Sequence, residues 1–97
     1  MIIRIVKMSF REEEINKFKA FFEERKKEIR NQKGCTHLEL LQDINTPGII
    51  FTYSYWESEE DLNNYRQTEF FRDTWKNTKA LFSNSPEAWS VEQISKV

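Results

Sequence analysis

The chain has 97 residues, of which 38% are apolar, 32% charged and 14% aromatic, with only two glycines, two prolines and one cysteine. That length supports one domain, residues 1–97, and leaves enough surface that self-association would add useful burial. Basic and acidic residues are intermixed to a net charge of −1, so no basic stripe marks a nucleic-acid partner, and no apolar run nears the ~18 residues a membrane span needs.

Residues 2–8, "IIRIVKM", are short and β-branched and predict a strand. Arg4 and Lys7 interrupt this apolar stretch, which has no signal-peptide plan, and the lone Cys35 has no internal disulfide partner, so the cytoplasm is the expected compartment. Ser9 and Glu12 have capping-box spacing, and a helix is predicted from Glu12 to about Gln32, with Ile15, Phe18, Phe22 and Ile29 on one stripe. Gly34 suits a left-handed stop. "CTHLELLQD" (35–43) and "GIIFTYSYWE" (48–57) read as an antiparallel hairpin across a Pro47-Gly48 turn. Ser58 would cap a short helix through Leu62 and Tyr65. Thr68 would cap another, on which Phe71, Trp75, Thr78 and Phe82 share a face. "AWSVEQI" (88–94) predicts the last strand.

The order β-α-β-β-α-β is the ferredoxin-like plan, an α+β fold with a four-stranded antiparallel sheet covered by helices on one face. In the third strand Ile49, Phe51, Tyr53 and Tyr55 point one way, and Ile50, Thr52, Ser54 and Trp56 the other. Both sets carry large apolar groups, so the uncovered face predicts a second copy of the chain, a homodimer.

"GCTHLELLQD", the Pro-Gly turn and "YWESEEDLNNYRQTEFF" together resemble the antibiotic biosynthesis monooxygenase family. Gly34, Cys35, Glu39, Leu40, Asp43, Trp56, Ser58, Glu59, Leu62 and Phe71 carry the likeness. The resemblance implies a dimeric α+β barrel with a pocket between each sheet and its helices. It also implies a cofactor-independent monooxygenase acting with O2 on a small aromatic or quinol-type substrate, without metal or flavin. The alternative within the same fold is a dimeric small-molecule-binding protein without chemistry. Where many members carry histidines this chain has Tyr65 and Phe70, and where the haem-degrading relatives carry a Trp and a haem-ligating His it has Tyr65 and Trp75. An indole N–H cannot ligate iron, and the family's strand-1 asparagine is missing near Val6 or Lys7, so haem degradation is not expected.

His37 is the only imidazole. It is the candidate general base if it reaches the pocket, against a role as a polar interface or surface residue; strand alternation places it on one face with Cys35 and Glu39. Cys35 and His37 have no third ligand to complete a metal site. Arg4 is the candidate stabiliser of an enolate, phenolate or carboxylate. Tyr65, Trp75, Phe70 and Trp56 are the candidate pocket walls, with Phe71 and Phe82 expected in the core. The carboxylates at 57 and 59–61 complement a helix N-terminus.

Overall fold

Side-chain alternation sets which way the sheet faces. In the computed structural model, which describes residues 1–97, strands β1 (Ile2–Ser9), β2 (Cys35–Gln42), β3 (Ile49–Trp56) and β4 (Glu87–Val91) form one antiparallel sheet in the order β2-β3-β1-β4. Pairing of Arg4 with Ser54, Val6 with Thr52 and Met8 with Ile50 puts these residues on one face. Ile3, Ile5 and Lys7 share the other with Tyr55, Tyr53 and Phe51. Helices α1 (Ile15–Arg30), α2 (Glu59–Arg66) and α3 (Glu69–Lys79) cover the first face alone. This is the ferredoxin-like order, with its second helical segment in two pieces.

Two apolar clusters hold the layers together. Met8, Phe10, Phe18, Phe22, Ile29, Ile50 and Leu81 form the larger, and Cys35, Trp56 and Leu62 the smaller. Burial of a side chain such as Ile50 stabilises the fold by ~1.5–3 kcal/mol. Ser58 and Thr68 cap α2 and α3 as their positions suggest, accepting the amides of Asp61 at 3.1 Å and Phe71 at 3.0 Å. Arg25 ties α1 to α3. Its guanidinium reaches Asp73 at 2.9 Å and Thr74 at 3.0 Å and lies over the rings of Phe21 and Phe70.

Several local expectations change. The Ser9–Glu12 capping box does not form, because β1 runs through Ser9 and Phe10 goes on to bridge Phe82. The helix start moves downstream, and Glu12–Glu14 make a 3₁₀ turn behind Arg11 with no side-chain cap. α3 stops at Lys79, so Phe82 lies beyond the helix. β4 covers Glu87–Val91, shorter than the 88–94 expected.

The most consequential change is in β2. Its register passes from Cys35 opposite Trp56 to His37 opposite Tyr55, leaving Thr36 as an extra residue, a β-bulge. The bulge turns Cys35 toward the helices, where it is buried, and His37 with Glu39 to the open face. The expectation that Cys35 and His37 share a face therefore fails. The Thr36 hydroxyl is left buried without a partner, a cost of ~1–3 kcal/mol.

Gly34 leads into this bulge with φ +86°, and its carbonyl accepts the amide of Glu57 at 2.8 Å. A methyl group here would be driven into the side chain of Asp61. Gly34→Ala is expected to lower unfolding stability by about 1–3 kcal/mol, from left-handed strain plus the collision. Urea denaturation of the two proteins measures this, and an unchanged midpoint contradicts it.

Candidate functional site

Between the two apolar clusters the helices stand off the sheet and leave a cavity of about 370 Å³, at the small end of the ~300–1,000 Å³ typical of ligand sites. Small side chains of the sheet form its floor: Val6, Thr52, Ser54 and Ala88. Rings form its walls. Tyr65 stacks on Trp56 with centroids 5.1 Å apart and planes 20° apart. Phe71 meets Tyr65 edge-on at 5.1 Å and lies nearly parallel to Trp75 at 6.3 Å. Rings fixed by one another in this way keep their rotamers without a ligand, so the hollow is preformed.

The polar groups of the cavity are few. Trp56 donates its indole N–H to Ser54 Oγ at 3.0 Å, so that donor is already taken. Burial, before any neighbouring charge, pushes the Tyr65 phenol well above its ordinary pKa, and the hydroxyl is a donor rather than a base. Arg4 donates to Ser90 Oγ at 3.0 Å. Burial lowers its pKa, and the charge of Arg66 lowers it further. Arg66 stands exposed at the last turn of α2 and also lines the cavity. No Asp, Glu, Lys or His side chain lines it, and nowhere do three or more His, Cys, Asp or Glu side chains gather as a metal site would need.

The residues singled out in the sequence therefore separate. Arg4, Trp56, Tyr65 and Trp75 meet around the cavity. His37 does not. It lies across the sheet, its Nε2 in contact with the Glu39 carboxylate and its ring 4.7 Å from that of Tyr55. The condition for a general base, reaching the pocket, is not met within the chain, because the bulge at Thr36 turns the imidazole away. Phe70 also lies elsewhere, packed against the larger core under the Arg25 guanidinium. Phe71, expected in the core, is a cavity wall instead. Arg66 and Thr74 were missed altogether. Arg66 follows Tyr65 directly and sits one helical turn after Leu62, which was the available signal.

A four-stranded antiparallel sheet with helices lifted off one face, enclosing a ring-lined hollow, defines an α+β barrel protein of the ferredoxin-like kind. The family model for antibiotic biosynthesis monooxygenase matches residues 1–77, and the chain belongs to that family. A crystal structure of an antibiotic biosynthesis monooxygenase is similar to it at TM-score 0.90, with 18% identity over 98% of this chain and 100% of the other. A conserved protein from Methanosarcina mazei is similar at 0.88, with 18% identity over 96% and 93%. A protein from Mycobacterium tuberculosis is similar at 0.88, with 13% identity over 98% and 96%. At these identities the likeness establishes the fold. No curated protein matches the sequence. No helix is long and apolar enough to cross a membrane.

The raised pKa of Tyr65 has a sign that can be checked. Above pH ~10, the ordinary tyrosine value, the unfolded chain loses a proton that the folded chain keeps. Stability from this group is whole below that pH and falls as pH rises through and beyond it. Tyr65→Phe should flatten the alkaline decline in urea midpoint relative to the parent, whereas equal slopes would mean that the phenol ionises normally.

Proposed function

We propose that this chain binds a small planar aromatic molecule in the cavity between sheet and helices. The observation that carries the reading is the hollow itself: parallel and edge-on rings on its walls, small side chains on its floor, and hydrogen-bond donors at few points. Trp75 and Tyr65 supply ring faces, Trp56 closes one end, and Arg4 supplies a positive charge.

Cofactor-independent oxygenation is the second reading, supported by family membership and by Arg4. In that chemistry an electron-rich phenolate reacts with O2 directly. One oxygen atom enters the ring to give a quinone, and the other leaves as water. The guanidinium would lower the acidity barrier by stabilising the anion, and the dry walls would protect it. His37 has no part in this version, and proton removal falls to solvent.

The reading extends to a homodimer formed through the open face of the sheet. Ile3, Ile5, Phe51, Trp89 and Val91 lie on that face, and Trp89 is 44% exposed. His37, Glu39, Tyr53 and Tyr55 form a polar patch beside them, with the two tyrosine hydroxyls 3.2 Å apart. An apolar sheet face with a small polar inset is the composition of a subunit interface.

Two measurements test these readings. Titration with 1,4-naphthohydroquinone should quench tryptophan fluorescence, and Trp75→Ala should weaken binding about 3–10-fold by loss of one ring contact. Absence of quenching rejects a quinol as the ligand, and oxygen consumption above the protein-free rate separates turnover from binding alone. Sedimentation at micromolar concentration should give twice the chain mass, falling to one chain in Phe51→Glu. A folded wild-type monomer rejects the dimer.

A further inference from the structure

The charges of the cavity do not balance. Arg4 and Arg66 are the only ionised groups among its lining residues. The fold's ion pairs join Arg11 to Glu13 and Glu14, Arg25 to Asp73, Lys26 to Glu23 and His37 to Glu39. None includes Arg4 or Arg66. The one hydrogen bond of the Arg4 guanidinium goes to a neutral hydroxyl, Ser90 Oγ. A guanidinium has five N–H donors in a planar fork, so most of the donors of Arg4 are unassigned within the chain.

Like charges sharing a partly dry hollow repel, and they persist only where something else rewards them. Sequence position rules out accident of a surface run for Arg4. It sits in mid-strand between Ile3 and Ile5, on the helix-facing side with Val6 and Met8, where an aliphatic residue would pack at no electrostatic cost. The cavity also holds no group able to take a proton from a ligand near neutral pH: the Tyr65 phenol is held neutral, and the lining has no carboxylate or imidazole. No side chain of the cavity creates a negative charge, so a ligand that is already ionised in water suits it best.

We infer that the ligand of this cavity is an aromatic carboxylate, its ring held between Tyr65 and Trp75 and its carboxylate received by Arg4 and Arg66. This deepens the aromatic-ligand reading above and rests on it. Arg4 is the half-buried partner and contributes the larger share, while the exposed Arg66 is screened by solvent and salt and acts at the entrance. Two forked cations on one carboxylate also orient the ring, because each pair of parallel N–H···O bonds prefers a plane.

The test compares 2-naphthoate with its neutral isostere 2-naphthamide, titrated into the full chain with tryptophan fluorescence as the readout. The naphthoate should bind at least about tenfold more tightly at low salt, the worth of one charge-assisted contact. The ratio should shrink as salt is added. Arg4→Met should remove most of the preference, and Arg66→Met, at an exposed helix end, a smaller part. The inference is overturned if the amide binds as well as the acid to the parent chain, an outcome that leaves the aromatic-ligand reading standing. It is equally overturned if the preference survives in the double variant. If neither probe binds to chain that circular dichroism shows to be folded, the aromatic-ligand reading fails and takes the carboxylate with it.

Discussion

A chain of aromatic rings in contact carries the helices over the sheet, and the site follows from it. It runs from Trp56 to Tyr65, Phe71, Trp75 and Phe82, then to Phe10, Phe18 and Phe22, with successive centroids between 4.3 and 6.3 Å apart. It starts on β3, crosses α2 and α3, passes the end of β1 and closes on α1. Each ring is braced by the next, so α2 and α3 cannot settle onto the sheet without breaking several ring contacts at once, each worth ~0.5–1.5 kcal/mol beyond its burial. Arg25 adds a polar clasp on the outer side, holding α3 to α1.

The hollow beneath that chain is a consequence of volume. Large rings stand around the rim, while the sheet directly below presents Thr52, Ser54 and Ala88. Compact interiors fill their space only when large and small side chains alternate across facing positions. Here the large groups face one another around a perimeter and the small ones share the centre. Ser54 has a further duty, since its hydroxyl takes the Trp56 N–H and lets an indole lie almost wholly buried, 1% exposed, at the end of a strand. A larger side chain at any of these floor positions would fill the space.

Much of this was legible beforehand because it depends on short-range rules. Strand alternation separated Ile50, Thr52, Ser54 and Trp56 from Phe51, Tyr53 and Tyr55. Ser58 and Thr68 announced two helices by their chemistry, and Gly34 marked the one left-handed turn. What escaped depends on partners distant in sequence. The capping box at Ser9 lost to a backbone pairing between Phe10 and Phe82, seventy-two residues apart in number. The bulge at Thr36 has no composition signal, since Thr is an ordinary strand residue, yet it decides the side on which the only imidazole appears. Phe70 and Phe71 are adjacent on α3 and point about 100° apart, so a small error in helix phase exchanges a cavity wall for a core residue. Arg66 reads locally as one more charge on a solvated helix end, and its meaning appears only when β1 brings Arg4 to the same hollow.

The sheet also divides the chemistry of the molecule. On its open side sit the only imidazole and its carboxylate partner, His37 against Glu39, with Tyr53 and Tyr55 paired through their hydroxyls. The hydrogen bond between the two hydroxyls pushes the Tyr53 phenol up. On the helix side sit cations, alcohols and one phenol locked in its neutral form. Such a site can bind, orient and stabilise negative charge, and it has no side chain with which to create that charge. Any reaction it supports must begin from a molecule that is already an anion, or becomes one as the guanidinium fields act on it, with water taking the proton. The one-residue bulge at Thr36 is what keeps the imidazole on the far side of the sheet.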